Sequence, residues 1–288
     1  MLDDLLINLN YLNYLEVLCT VIESHFIIID ESTQNVSLAL YRYMCQNIVG
    51  SEERIKTIRM MNTVRDNLTR SNIGTIITSG SFGEGLEMRG SDIDIMFMLP
   101  YVEIVENMEI PFNLNKIYFV IETYETQPCF TKLRLIFSEE FKILKLCEKI
   151  GSEYYLSNVY IKELCLNKSC PIIHGPCVAD EDGVFEIAYC LHSKSWITAA
   201  QQWITRSNNS WPGYKVKQSI IQHGVLFVPI GVKGSTKEEL EWRISFSVGE
   251  KLLVNSFAHT QLLCYALMKI LLKDVINIHS ECKEILCS

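Results

Sequence analysis

Apolar residues recur along this chain with two periods, one helical and one alternating, and their succession predicts a mixed α/β architecture. Residues 1–30 read as helical and partly amphipathic and carry no motif. A helix is expected over 36–48. Gly50 breaks it, and Ser51 can cap a second helix over 52–70. On that second helix Ile58, Met61, Val64 and Leu68 form an apolar stripe expected to face a core, with Lys56, Arg59 and Arg70 on the other side. Strands are predicted around Ile73, Ile76 and Ile77, and over 117–123, 132–137, 184–191 and 225–229. Helices are predicted over 139–150, from Trp196 onward and over 214–223, and 170–176 reads as a loop. The run Trp242-Arg243-Ile244-Ser245-Phe246-Ser247 alternates strictly. Trp242, Ile244 and Phe246 should then face a core, and Arg243, Ser245 and Ser247 a polar cleft. A helix over 259–276 ends the pattern and carries Lys269. A composition shift near Lys233-Gly234-Ser235 suggests a division into an N-terminal helical segment (1–35), a core (36–234) and a C-terminal helical lobe (235–288).

Candidate chemistry concentrates where a strand, a small turn and a second strand follow one another. The turn reads Ser79-Gly80-Ser81-Phe82-Gly83-Glu84-Gly85, and the next strand opens Asp92-Ile93-Asp94-Ile95. Side chains alternate along a strand, so Asp92 and Asp94 share a face, with Cα atoms about 6–7 Å apart. Carboxylates so spaced suit a pair of magnesium ions about 3.5–4 Å apart. Gly80 lets a phosphate approach the backbone, and Ser81 can donate its hydroxyl. The alternative is a plain turn followed by two solvated acids. Lys56, Arg59 and Arg70 likewise form either an ordinary solvated face or a track for a phosphate backbone.

Charge and cysteine content refine this. The 288 residues carry a net charge of −8, which argues against a dedicated nucleic-acid coat but not against a local basic face. No basic secretory start and no uninterrupted membrane-length apolar stretch is present, so no membrane partner is expected. Eleven cysteines without a framework suggest reduced thiols and a cytoplasmic location. Cys165, Cys170, His174 and Cys177 lack the short Cys-x-x-Cys knuckle and read as small buried residues plus a loop histidine, so no zinc is expected there.

The Gly80-Ser81 and Asp92-x-Asp94 elements resemble the polymerase-β-like nucleotidyltransferase signature. The run Trp242-Arg-x-Ser-Phe-Ser-x-x-Glu-Lys251 resembles the cyclic GMP–AMP synthase and Mab-twenty-one family, and is most similar to invertebrate cyclic GMP–AMP synthase-like receptors. The resemblance covers nearly the whole chain from Val36. It implies a two-lobed fold with an N-terminal spine helix and a helical C-terminal lobe. It also implies an activity that joins ATP and GTP into a cyclic dinucleotide in response to double-stranded nucleic acid, as in innate immune sensing. It assigns donor phosphates to Ser79, Gly80 and Ser81, magnesium (or manganese) to Asp92, Asp94 and Glu186, and bases and sugars to Arg243, Ser245 and Ser247. Lys269 is assigned to the triphosphate and Ser288 to the nucleotide site. The spine-helix cations Lys56, Arg59 and Arg70 gain credit as a nucleic-acid surface. Three departures stand out. The third acid is Glu186, where the family has aspartate. No His-Cys-Cys-Cys zinc insertion precedes Lys269, which favours double-stranded RNA over DNA as activator. The chain stops at Ser288, where the family continues, so the C-terminal lobe is expected to be incomplete. Oligomers are expected only on ligand binding. Two readings stay open: an active cyclic dinucleotide synthase, or a catalytically impaired nucleotide- or nucleic-acid-binding member.

Overall fold

The computed structural model describes residues 31–71, 74–86, 93–108, 110–205 and 211–272. Residues 1–30 of the expected N-terminal segment (1–35), Ile73, Asp92 and Ser288 lie outside these residues. The described residues begin with α1 (Glu31–Tyr43), which continues as a π-helical turn at Met44–Ile48, and α2 (Glu52–Leu68) follows Gly50. The Ser51 hydroxyl accepts from Arg54 N and caps α2. Next come β1 (Thr75–Thr78), the single turn α3 (Gly80–Gly83), β2 (Ile93–Val105), β3 (Ile117–Glu122) and β4 (Phe130–Phe137). The hairpin β5 (Cys147–Ile150) and β6 (Glu153–Leu156) leads to α4 (Asn158–Cys165). A second hairpin, β7 (Ile172–His174) and β8 (Cys177–Ala179), leads to β9 (Phe185–Ser193). The short α5 (Gln201–Thr205), α6 (Tyr214–His223), β10 (Val225–Val228), β11 (Glu241–Ser245), α7 (Ser247–Asn255) and α8 (His259–Leu271) complete the described chain.

Strand β2 organises the sheet. Its first half pairs antiparallel with β1 and parallel with β9, and its second half pairs parallel with β3. Because β3 continues through β4, β11, β10 and β9 back to β2, six strands close on themselves. β11 lies between β4 and β10, so a strand beyond the composition shift at Ser235 belongs to the same sheet. Alternation along these strands sorts the side chains onto two faces. Phe97, Tyr189, Leu191, Phe227, Trp242 and Ile244 enter the main core, joined from the helices by Trp203, Ile220 and Leu253. The Trp242 indole N–H donates to Leu156 O at 2.9 Å, so even its polar atom is satisfied there. A second buried cluster joins Met44 and Ile55 to Val254, Leu263 and Ala266. It fastens α2 and the π-helical turn to α7 and α8.

Several local expectations change. The helix predicted over 139–150 is a 3-10 turn (Phe141–Leu146) followed by β5. Gly151, at φ +62°, opens a two-residue connection to β6, a tight hairpin turn that breaks the expected helix. The 170–176 loop is the β7–β8 hairpin. Phe246 is buried but precedes α7 rather than extending β11. The inward face of α2 is also different: Met61, Val64 and Leu68 are exposed, Leu68 at 80 %. The inward line is Ile55, Arg59, Asn62 and Asp66, three of whose members are polar. A hydrophobicity count misses such a line because its polar members are satisfied by backbone groups rather than by apolar contact.

Candidate functional site

The turn after β1 is built by α2. Asp66 accepts from Thr78 N at 3.1 Å and from its hydroxyl at 2.5 Å, Asn62 donates to Phe82 O at 2.9 Å, and Arg59 Nε donates to Glu84 O at 2.8 Å. Three inward polar residues, spaced along one face of a helix, thus fix the backbone on both sides of Gly80-Ser81. Lys251 of α7 adds bonds to Thr78 O at 2.8 Å and Asp66 Oδ2 at 3.1 Å. Gly80 has φ +60°, and a Cβ there would lie 1.8 Å from Asp94 Oδ2. Only glycine suits both the dihedral and the space. Ser79 N donates to Asp94 O at 2.8 Å, so turn and strand meet at the backbone as well.

The parallel pairing of β2 with β9 sets Asp94 directly opposite Glu186. Paired residues on adjacent strands project to the same face about 5 Å apart. The same register continues through β10 and β11, where Val228 pairs with Arg243 and Leu226 with Ser245. Arg243 and Ser245 therefore share the sheet face of Asp94 and Glu186. Ser245 Oγ lies 3.2 Å from Ser247 Oγ, which reaches Met96 Sδ at 2.9 Å, two residues along β2 from Asp94. The β7–β8 hairpin borders the acids, and His174 Nδ1 meets Glu186 Oε1 at 2.5 Å. Burial, together with the nearby Glu186 and Asp94 carboxylates, pushes the Cys177 thiol up to about 12, so it stays protonated. Among the described residues no group of three or more His, Cys, Asp and Glu side chains is disposed around one ion position; Asp94 and Glu186 form a pair.

Lys269 of α8 reaches this region from the opposite side. Its ammonium donates to Ser81 Oγ at 3.2 Å and to Glu84 Oε2 at 2.7 Å, and lies 4.8 Å from the Tyr265 ring centre. Tyr265 donates its hydroxyl to Glu84 Oε1 at 3.0 Å, so both oxygens of the buried Glu84 carboxylate are used. Nearby Glu250 is pushed up to about 7, chiefly by burial and then by the Glu84 charge, with Arg243 and Lys269 opposing.

Beside α7, residues of α2, β1 and β2 line a groove of about 530 Å³. Arg70, Lys194, His192 and His223 border it, together with apolar side chains that include Ile77 and Met98. An adjoining cavity of about 360 Å³ shares Arg70 and Lys194 and adds Lys116. Arg70 thus stands on a groove of mixed character, in which Lys194 and the neighbouring Lys116 are paired with Glu103 and burial pushes His192 and His223 below the usual histidine range. Lys56 is exposed and pairs with Glu52 at 2.6 Å. Arg59 corrects the expectation of an outward basic face: its guanidinium also donates to Val254 O at 3.2 Å and Asn255 O at 3.3 Å, tying α2 to the C-terminus of α7.

The structure therefore brings Ser79, Gly80, Ser81, Asp94, Glu186 and Lys269 to one region, with Arg243, Ser245 and Ser247 on the adjoining strand and helix start. It sets Arg59 inside the molecule. Sequence reasoning missed Asn62 and Asp66, whose signal was their helical spacing from Arg59, and missed His174 and Glu84, whose partners are distant in sequence. Residues 153–256, which carry Glu186 and Arg243 but not the Gly80 turn or Asp94, match the model of the Mab-21 protein nucleotidyltransferase domain. That matched segment, which holds β9 and β11, is therefore similar to the Mab-21 nucleotidyltransferase domain.

Proposed function

We propose that the protein is a cyclic GMP–AMP synthase-like enzyme that joins ATP and GTP into a cyclic dinucleotide in response to double-stranded nucleic acid, RNA in preference to DNA. The observation that carries this reading is the meeting of three elements: Asp94 opposite Glu186, the Gly80 turn packed on Asp94, and Lys269 Nζ on Ser81 Oγ. The two carboxylates offer hard oxygen donors beside a backbone cradle with room only for a glycine, which fits a magnesium or manganese ion sharing substrate phosphates. Asp92, Asp94 and Glu186 would hold the ion, which would supply charge stabilisation for the attacking and leaving oxygens of an in-line displacement. Ser79, Gly80, Ser81 and Lys269 would orient the triphosphate, and Arg243, Ser245 and Ser247 would face base and sugar. In this reading α7 and α8 belong to a helical lobe that faces the sheet, and the protein works in the cytoplasm as an innate immune sensor. The groove carrying Arg70 and Lys194, with the adjoining cavity that adds Lys116, would receive the nucleic acid. Asp66 would link it to the site, since it lines the groove and bonds the strand end preceding Ser79.

The test is incubation with ATP, GTP, manganese or magnesium and double-stranded RNA, followed by chromatography. Product that disappears in Asp94→Asn supports the proposal, and none under any activator refutes it. The second reading, a catalytically impaired member that binds nucleotide or nucleic acid, is favoured by Glu186, whose carboxylate stands one methylene further out than an aspartate. Under it, wild type binds nucleotide without turnover and Glu186→Asp gains product.

A further inference from the structure

We infer that His174 is a positioning residue for Glu186, and that the β7–β8 hairpin is what makes glutamate workable where a shorter acid would otherwise be needed. The inference rests on the reading of Asp94 and Glu186 as ion-binding carboxylates. Glutamate has one more rotatable bond than aspartate, so its carboxylate samples more positions and orients an ion less well. In this chain that freedom is removed from outside the strand. His174 Nδ1 sits 2.5 Å from Glu186 Oε1, a short contact for a hydrogen bond to a carboxylate. It engages one of the two carboxylate oxygens.

The geometry of the hairpin supports this role. β8 pairs with β9 so that Ala179 stands opposite Glu186, and His174 pairs with Cys177 at the closing turn, where Gly175 adopts φ +57°. The imidazole is thus held by a two-strand ribbon continuous with the strand that bears its partner. The Glu186 side chain is only 12 % exposed while that of His174 is 73 % exposed, so the histidine reaches inward from the surface to the acid. A ring merely seeking burial would show the opposite pattern. Partners that hold and orient ion-binding side chains in this way commonly change metal affinity about 10–100-fold when removed.

The test uses manganese as probe on the full chain, with binding read by electron paramagnetic resonance and fold by circular dichroism and thermal melting. Wild type should show a site that Asp94→Asn abolishes. His174→Ala should weaken that site about tenfold or more with an unchanged melting profile. His174→Asn, whose amide nitrogen can occupy the Nδ1 position, should recover most of the affinity. In a Glu186→Asp background the shorter acid no longer reaches the imidazole, and His174→Ala should then change affinity less than about twofold, well below the loss expected for a removed orienting partner. If His174→Ala leaves manganese affinity unchanged or raises it while the Asp94-dependent site persists, the positioning role is overturned and the metal reading survives. If wild type has no Asp94-dependent site, the metal reading fails and the inference falls with it. Equal losses on His174→Ala in wild type and in the Glu186→Asp background would assign His174 a general role in the fold and also overturn the proposal.

Discussion

Replacing Gly80 by alanine tests how the turn and the acid are joined. Two costs are separable there. The first is conformational: at φ +60° an L-residue pays about 1–2 kcal/mol. The second is steric, since the new Cβ would lie 1.8 Å from Asp94 Oδ2 and 2.8 Å from its Cγ. Relief requires the Asp94 side chain or the turn to move by more than an ångström, and the turn is held by Asp66, Asn62 and Arg59. Forced displacements of this kind cost about 1–3 kcal/mol. Gly183 provides the control, because it has φ +65° and no atom within 4 Å of the built Cβ. Urea denaturation should therefore show a loss of about 2–5 kcal/mol for Gly80→Ala and about 1–2 kcal/mol for Gly183→Ala. Manganese binding should fall only in the former. Equal destabilisation by the two variants, or Gly80→Ala with unaltered manganese binding, would refute the claim that Gly80 is required by its contact with Asp94.

Arg59→Ala removes three charge-assisted bonds to carbonyls and should lower stability by about 3 kcal/mol in urea melts, whereas Lys56→Ala, on the exposed side of α2, should leave the melt unchanged. Glu84→Gln should cost about 1–3 kcal/mol by unpairing Lys269, and should weaken binding of a fluorescent nucleoside triphosphate more than that of the monophosphate, as measured by anisotropy. Stability should respond to pH through two opposed groups. Glu250, raised to about 7, keeps its proton better folded than unfolded, so its contribution is present at low pH and is lost as pH rises from about 4.5 to 7; Glu250→Gln should flatten that fall by up to about 3 kcal/mol. His223, lowered to about 4 by burial and by His192, does the reverse: its contribution is full above about 6.5 and is lost as pH falls towards 4, so His223→Gln should flatten the acid limb of the same denaturation series.

The strands and helices that the sequence announced most clearly were those whose apolar positions keep one period to the end. The 214–223 helix, the 225–228 strand and the inward Trp242 and Ile244 are of this kind, because their burial depends on their own residues and on one adjoining layer. The α2 facing was illegible for a physical reason: its inward line is Ile55, Arg59, Asn62 and Asp66, and polar residues can be interior only when distant backbone groups accept or donate to them. The β5–β6 hairpin carried a local signal in Gly151-Ser152, which the helical spacing of 139–150 outweighed.

What the sequence determined by itself was the inventory: a glycine–serine turn beside Asp94, a third acid at Glu186, an alternating run through Ser245, and a lysine at 269. The turn, Asp94 and the alternating run follow from local rules of spacing, alternation and backbone permissiveness, whereas Glu186 and Lys269 are singled out by what the family resemblance implies. Which of them meet was decided by the tertiary structure. Asp94 and Glu186 are far apart along the chain and become neighbours only through the parallel register of β2 and β9. Lys269 finds Ser81, and His174 finds Glu186, by the docking of a helix and the folding of a hairpin. Pairing across such distances is set by the closure of the sheet and the packing of helices on it, and no residue's own neighbours in the chain encode it.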